Sequence, residues 1–263
     1  MKNTLLAVFL ISSLGVCGQA VNTTSGAATD TIKKDRVKPH DTVQYIHNNA
    51  WSYVPPAVFV AYGGLSFVVG PIRHVDYYIK DRIQQSAPKY NSKIDDYLQI
   101  APGAMVYLLN LAGDEGKNRF VDRTAMLALS GLILTGTDGL KYVMHRQRPF
   151  GGDYLSFPSG HTGAAFVAAE FLAEEYGDKS VWYSVGGYAC ATATAVMRLY
   201  NRAHWFSDCV AGAGFGILSV RAAYWLYPHI RNALTHKDKH GRSTMIMPSY
   251  SDGAPGLLFA MQL

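Results

Sequence analysis

Lys141-Tyr142-Val143-Met144-His145-Arg146-Gln147-Arg148-Pro149, then Phe157-Pro158-Ser159-Gly160-His161, then Arg198, His204 and Asp208: this set, between positions 141 and 208, decides how the chain reads. Together these residues supply fixed cations, a turn of free backbone amides, two imidazoles and a carboxylate, the groups a phosphate requires. Lys141 and Arg148 are spaced by two turns at about 3.6 residues per turn, so on a helix both project from one face. Pro149 disfavours helical geometry at Arg148, which is therefore expected at the frayed end of its helix, free to grip an anion bidentately. An isolated Lys/Arg pair would read as solvated surface charge. The neighbours argue otherwise.

Ser159 precedes an apolar, helix-forming run, Ala164 to Ala173, and reads as an N-cap or first-turn residue, while Gly160 admits close approach to the backbone. A helix start with orphan amides, a hydroxyl and no bulky side chain can bind an anion, although an ordinary capped helix looks the same in isolation. His204 and Asp208 stand one helical turn apart. A carboxylate so placed can accept a hydrogen bond from one ring nitrogen and leave the other free to attack. A lone histidine beside Trp205 and Phe206 would read as a satisfied core residue; the Asp spacing and upstream Arg198 favour chemistry.

Lys-x6-Arg-Pro, Pro-Ser-Gly-His and Arg-x5-His-x3-Asp, in this order, resemble the three-part signature of the type 2 phosphatidic acid phosphatase superfamily, which also contains class A acid phosphatases and vanadium haloperoxidases. The resemblance covers directly only 141–208, about a quarter of the chain. It implies an all-α helical bundle with its active site built from helix ends and connecting loops. It also implies a phosphoric monoester hydrolase in which His204 is the nucleophile forming a phosphohistidine, Asp208 orients it, and His161 protonates the leaving oxygen. Lys141, Arg148, Ser159, Gly160 and Arg198 would hold the phosphoryl oxygens. Three fixed cations supply the charge that metal ions provide elsewhere, so no metal or other cofactor is expected. One departure stands out: Met197 occupies the place before Arg198 where the family usually has Ser.

Outward from this stretch, residues 1–20 have the layout of a secretory signal peptide, with Lys2, the run Leu5 to Ile11, and cleavage after Gly18 or Ala20. A lipoprotein reading through Cys17 is disfavoured by bulky Val16. Residues 21–40 read as a flexible basic spacer, 41–236 as the helical phosphatase domain, and 237–263 as a tail that is either an extended strand or a membrane-contacting end. The expected location is the periplasm or cell envelope.

The formal charge of +5 falls to +4 once Lys2 is removed (5 − 1), a modest excess without a sustained basic stripe, so nucleic acid is not an expected partner. The expected partner is a phosphorylated lipid or small phosphate ester, with membrane contact. An apolar content of 49% is ordinary for a globular chain, and the mean hydropathy of +0.02 is low for a polytopic membrane protein. Charge-free stretches at 53–72, 97–113, 181–197 and 209–220 read as buried bundle helices, or alternatively as short tilted spans. The segment 73–96 reads as a polar helix or surface connection, Gly151-Gly152-Asp153-Tyr154 as a connector or a cover for the site, and His145 and Arg146 as surface or pocket-rim residues. Cys190 and Cys209 lie in apolar runs and read as buried thiols, with a disulfide the alternative.

The reaction expected is metal-independent hydrolysis of an envelope lipid phosphate, with lipid A phosphate, phosphatidylglycerophosphate, phosphatidic acid and undecaprenyl diphosphate as candidates. A soluble broad-specificity acid phosphatase is the alternative. A vanadium haloperoxidase is a third reading, against which the modest length speaks.

Overall fold

A computed structural model describes residues 50–237, 243–251 and 254–261; the expected signal peptide and spacer lie outside them. After a 3-10 turn, Ala50–Tyr53, come nine helices among the described residues: α1 (Val54–Leu65), α2 (Gly70–Ser86), α3 (Ile94–Leu98), α4 (Ala101–Leu111), α5 (Phe120–Gly136), α6 (Gly139–Met144), α7 (Gly160–Tyr176), α8 (Val181–Tyr200) and α9 (Phe206–Leu234). The body is an all-α bundle, as the sequence led one to expect. Pro55, Pro71 and Pro102 stand in the first turns of α1, α2 and α4, where a missing N–H leaves no hydrogen bond unmade. They start helices rather than interrupt them. The first two helices, taken with the preceding 3-10 turn, are bent by 87° at the break between them.

Helix α7 is the axis of the bundle, packed by α8, α9 and α4, with Ala165, Phe166, Ala169 and Phe171 buried along it. Its contact with α9 is close because both helices use glycine where they cross. A methyl group on Gly216 would strike the Gly163 carbonyl, and one on Gly212 would lie 2.6 Å from the Ser159 carbonyl. Gly187 similarly lets α8 approach the backbone of Ala169, whereas Gly186 faces open space.

At the far end of α7, charge is buried but paired. Arg221 Nε lies 2.8 Å from Glu170 Oε1, and Tyr188 also donates to Glu170. Glu175 Oε1 accepts from Asn118 Nδ2 and Tyr224 Oη, each at 2.7 Å. Such groups are tolerated in a core because each carboxylate has donors in place of water.

Three strands close the chain as an antiparallel meander, β1 (Thr235–Lys237), β2 (Ser243–Ser251) and β3 (Ala254–Met261), in the order β1-β2-β3. The described part of the segment read as a tail is thus strand. Among the described residues one helix, Phe206–Asn232 within α9, is long and apolar enough to cross a membrane, with 67% of its apolar window buried inside the protein. The 3-10 turn with α1 and α2 passes the same test as a bent pair. Cys190 and Cys209 are free thiols.

Candidate active site

The site forms where the N-terminus of α7 meets the loop after α6 and the turn between α8 and α9. Ser159 caps α7, its side-chain oxygen facing the Thr162 amide, and its own amide donates to the Asp208 carbonyl at 3.1 Å. The Gly160 and His161 amides open the helix with no intrahelical acceptor, as the first turn of any helix requires. Lys141 Nζ reaches this turn, 3.3 Å from where a Gly160 side chain would begin, and it is also paired with Asp138.

The first segment differs from the expected geometry. Helix α6 ends at Met144 and His145 takes a left-handed conformation with φ 42°, so Arg148 is not on the helix that carries Lys141. Stacking of His145 on Tyr154, with ring centroids 4.6 Å apart, accompanies this break. Arg148 reaches the site from a loop, held by the segment the sequence left open between connector and cover. Its Nε bonds Asp153 Oδ1 at 2.7 Å and its Nη1 bonds the Ala203 carbonyl at 3.0 Å. The pairing with Arg148 is the largest cause of the lowered Asp153 pKa, followed by the bond from the Leu155 amide.

His204 is buried and lies just before α9 rather than on it. Its Nδ1 sits 2.7 Å from the Ser156 carbonyl, which can only accept, so Nδ1 carries the proton and Nε2 the lone pair. That Nε2 faces Arg148 Nη1 at 3.3 Å. Burial first, then the charges of Arg148 and Arg198, push the His204 pKa well below its ordinary 6.5, keeping the ring neutral.

Asp208 is not bonded to His204, contrary to the arrangement expected from their spacing. Because α9 begins at Phe206, Asp208 falls in its first turn and folds back onto the Trp205 amide at 2.9 Å, one half of a capping box. Its Oδ2 also accepts from Ser156 Oγ at 2.5 Å and its Oδ1 from Arg146 Nη1 at 2.6 Å. Asp208 therefore holds the residue whose carbonyl holds His204. It acts on the imidazole at one remove.

Arg146 is likewise not a rim residue. It is buried, bridging Asp208 to Asp76 of α2 (Nη2 to Oδ2, 2.6 Å) and lying over the rings of Phe67 and Trp205. Asp76 also takes the amide and hydroxyl of Ser207. Arg198 reaches in from the last turn of α8, with Nη1 2.7 Å from Asp95 Oδ2 and its buried Nε without a hydrogen-bond partner among the described residues. His161 Nε2 lies 2.9 Å from Asp96 Oδ1. Burial and the charge of Arg198 lower the His161 pKa, while the bond and charge of Asp96 oppose the shift.

The structure thus brings Lys141, Arg148, Ser159, Gly160, His161, Arg198, His204 and Asp208 into one neighbourhood. It adds Asp76, Asp95, Asp96, Arg146 and Ser156, which sequence reasoning did not select as site residues. Asp76 and Arg146 are separated by 70 positions and Asp95 and Arg198 by 103, so no local spacing announces either pair. A cavity of about 220 Å³ opens beside the cradle, lined by Lys141, Ser159 and Gly160 and by Leu134, Pro158 and Phe215.

Residues 121–231 match the family model described as the PAP2 superfamily. A lipid A 1-phosphatase of Porphyromonas gingivalis is 35% identical over 159 residues, which cover 58% of this chain and 35% of that protein. The chain spans about a third of the length of that relative. The crystal structure described as the first transmembrane PAP2-type phosphatidylglycerolphosphate phosphatase, from Bacillus subtilis, superposes with a TM-score of 0.45 at 19% identity, over 69% of this chain and 98% of that one. The segment 121–231, which contains all three signature parts, is thus similar to the PAP2 superfamily.

Proposed function

We propose that the protein is an exported, metal-independent phosphatase that hydrolyses the phosphate monoester of an envelope lipid through a phosphohistidine on His204. The observation that carries this reading is the fixed tautomer of His204, Nδ1–H on the Ser156 carbonyl and Nε2 against Arg148. In the first step the Nε2 lone pair forms a bond to phosphorus as the ester P–O bond breaks. The leaving oxygen keeps that electron pair and takes a proton from His161. In the second step water attacks phosphorus, the N–P bond returns its pair to Nε2, and His161 accepts the proton of the water. Lys141, Arg148, Arg198, Ser159 Oγ and the amides of Gly160 and His161 take the charge spread over the equatorial oxygens, the largest contribution available to phosphoryl transfer.

Two kinds of observation support a lipid rather than a soluble ester. The P. gingivalis relative is described as a lipid A 1-phosphatase. Large apolar side chains also stand exposed around the site, Tyr142 at 72% and Val143 at 77% beside Lys141, with Phe150 at 57% in the loop after Arg148. Surfaces of this kind mark contact with a membrane or partner.

The test is turnover by the detergent-purified protein on lipid A, phosphatidylglycerophosphate and phosphatidic acid against para-nitrophenyl phosphate, with and without excess chelator. Preference for a lipid phosphate, unaffected by chelator and inhibited by vanadate, is expected. Loss of activity restored by zinc or magnesium contradicts the metal-independent mechanism, and strong preference for the small ester contradicts the lipid.

A further inference from the structure

Helix α3 lies outside the matched segment, yet its two carboxylates hold two groups of the cradle, Asp95 on Arg198 and Asp96 on His161. The placement of α3 is built rather than incidental. Asn201, at the end of α8, donates through Nδ2 to the Ser92 carbonyl at 2.9 Å and accepts from the Ser92 amide at 3.0 Å, clamping the chain just before α3. The same Nδ2 approaches both oxygens of buried Asp95 at 3.3 and 3.4 Å. With Asp95 so fixed, the adjacent Asp96 is set over His161.

The charged groups around His161 come from several elements. Asp95 and Asp96 face it from α3, Arg198 from α8, and His204 lies close enough to be felt electrostatically. Lys141 stands over the neighbouring Gly160. Helix α4 carries no charged residue; α9 brings Asp208 to the Ser159 end of α7, where its carboxyl is bonded to Ser156 and Arg146, while Arg123 of α5 and Arg221 of α9 are paired near the far end with Glu175 and Glu170. Asp96 is the one carboxylate among these in hydrogen-bond contact with the imidazole.

We propose that Asp96 is a positioning residue for the acid step: it holds the Nε2–H of the protonated His161 ring and thereby turns Nδ1–H toward the leaving oxygen. The inference rests on the phosphatase reading above. As the P–O bond breaks, the leaving oxygen retains the electron pair and takes the Nδ1 proton, while the other proton stays on Nε2, donated in a hydrogen bond to Asp96. The neutral ring then has its lone pair on Nδ1, ready to accept the proton of the attacking water in the second step. An opposite charge beside an imidazole favours its protonated form, so removing Asp96 also makes that form harder to populate.

The experiment compares wild type, Asp96→Ala and Asp96→Glu on phosphatidic acid in detergent micelles, whose alkoxide leaving group needs a proton, and on para-nitrophenyl phosphate, whose phenolate needs it far less. Asp96 is about half exposed, at 48%, so the variants should fold, which far-UV circular dichroism and thermal melting check. Asp96→Ala is expected to lower kcat on phosphatidic acid about tenfold or more and on the aryl ester by clearly less, and to move the alkaline limb of the kcat profile to lower pH. Asp96→Glu should restore part of both effects. Equal losses on both esters with an unmoved limb overturn the proposal in favour of a structural role. A gain in turnover overturns it too, making Asp96 a restraint on His161. Turnover of wild type and its loss in His204→Ala are measured alongside; failure of either sinks the phosphatase reading, and the inference with it, whereas with both in place the Asp96 results bear on Asp96 alone.

Discussion

The Nδ1 of His204 donates to the carbonyl of Ser156 at 2.7 Å, and Ser156 in turn donates its hydroxyl to Asp208 at 2.5 Å. The carboxylate expected to touch the imidazole works through an intervening residue. Behind Asp208 the relay continues to Arg146 and Asp76, all buried.

Arg146 binds two buried acidic side chains, Asp76 and Asp208. Arg146→Met should therefore destabilise the protein by about 3–5 kcal/mol, because truncating one partner leaves buried charge uncompensated. Residual activity should fall as well, since Asp208 loses one of the groups that fix it. Urea unfolding with a parallel kcat measurement checks this. A variant as stable as wild type would mean that the relay is not a structural requirement.

The free enzyme should show a bell-shaped kcat/KM profile displaced to the acid side of pH 6.5. In the proposed roles His204 must be neutral, and burial with the Arg148 and Arg198 charges holds its pKa well below 6.5, so the acid limb lies well below that value. His161 must be protonated, and burial with Arg198 lowers its pKa as well, so the alkaline limb also falls below 6.5. An alkaline limb well above 6.5 would contradict the assignment of His161 as the acid.

Gly212 on α9 backs directly onto the turn that presents the α7 amides. Gly212→Ala would place a methyl group 2.6 Å from the Ser159 carbonyl, against backbone that has little room to move. A cost of about 1–3 kcal/mol is expected from overpacking, with kcat reduced by displacement of the Ser159 turn. The effect should exceed that of Gly186→Ala, whose methyl meets nothing within 4 Å. Melting temperature and kcat for the two variants make the comparison.

The all-α bundle was legible because its signals were local: charge-free apolar runs, Ser159 ahead of one of them, and the signature parts that carry the family resemblance. The same locality explains the misreadings. The spacing of Lys141 and Arg148 fits one helix face, but nothing in that spacing reveals the left-handed turn at His145 that ends the helix. His204 and Asp208 have helical spacing, yet the capping bond that the Trp205 amide donates to Asp208 starts α9 after His204. Arg146 looked like a rim residue because its partners, Asp76 and Asp208, come from helices 70 and 62 positions away. Burial by distant segments leaves no trace in a local pattern.

The most direct measurement is rapid quenching under alkaline conditions, with a substrate labelled in its phosphoryl group, followed by peptide mapping. The account predicts an acid-labile, base-stable phosphate on His204 at Nε2 in wild type, none in His204→Ala, and a fall in turnover of about 10⁴-fold or more in that variant. Label absent from His204 during turnover, or a His204→Ala enzyme that still turns over at the normal rate, would contradict it.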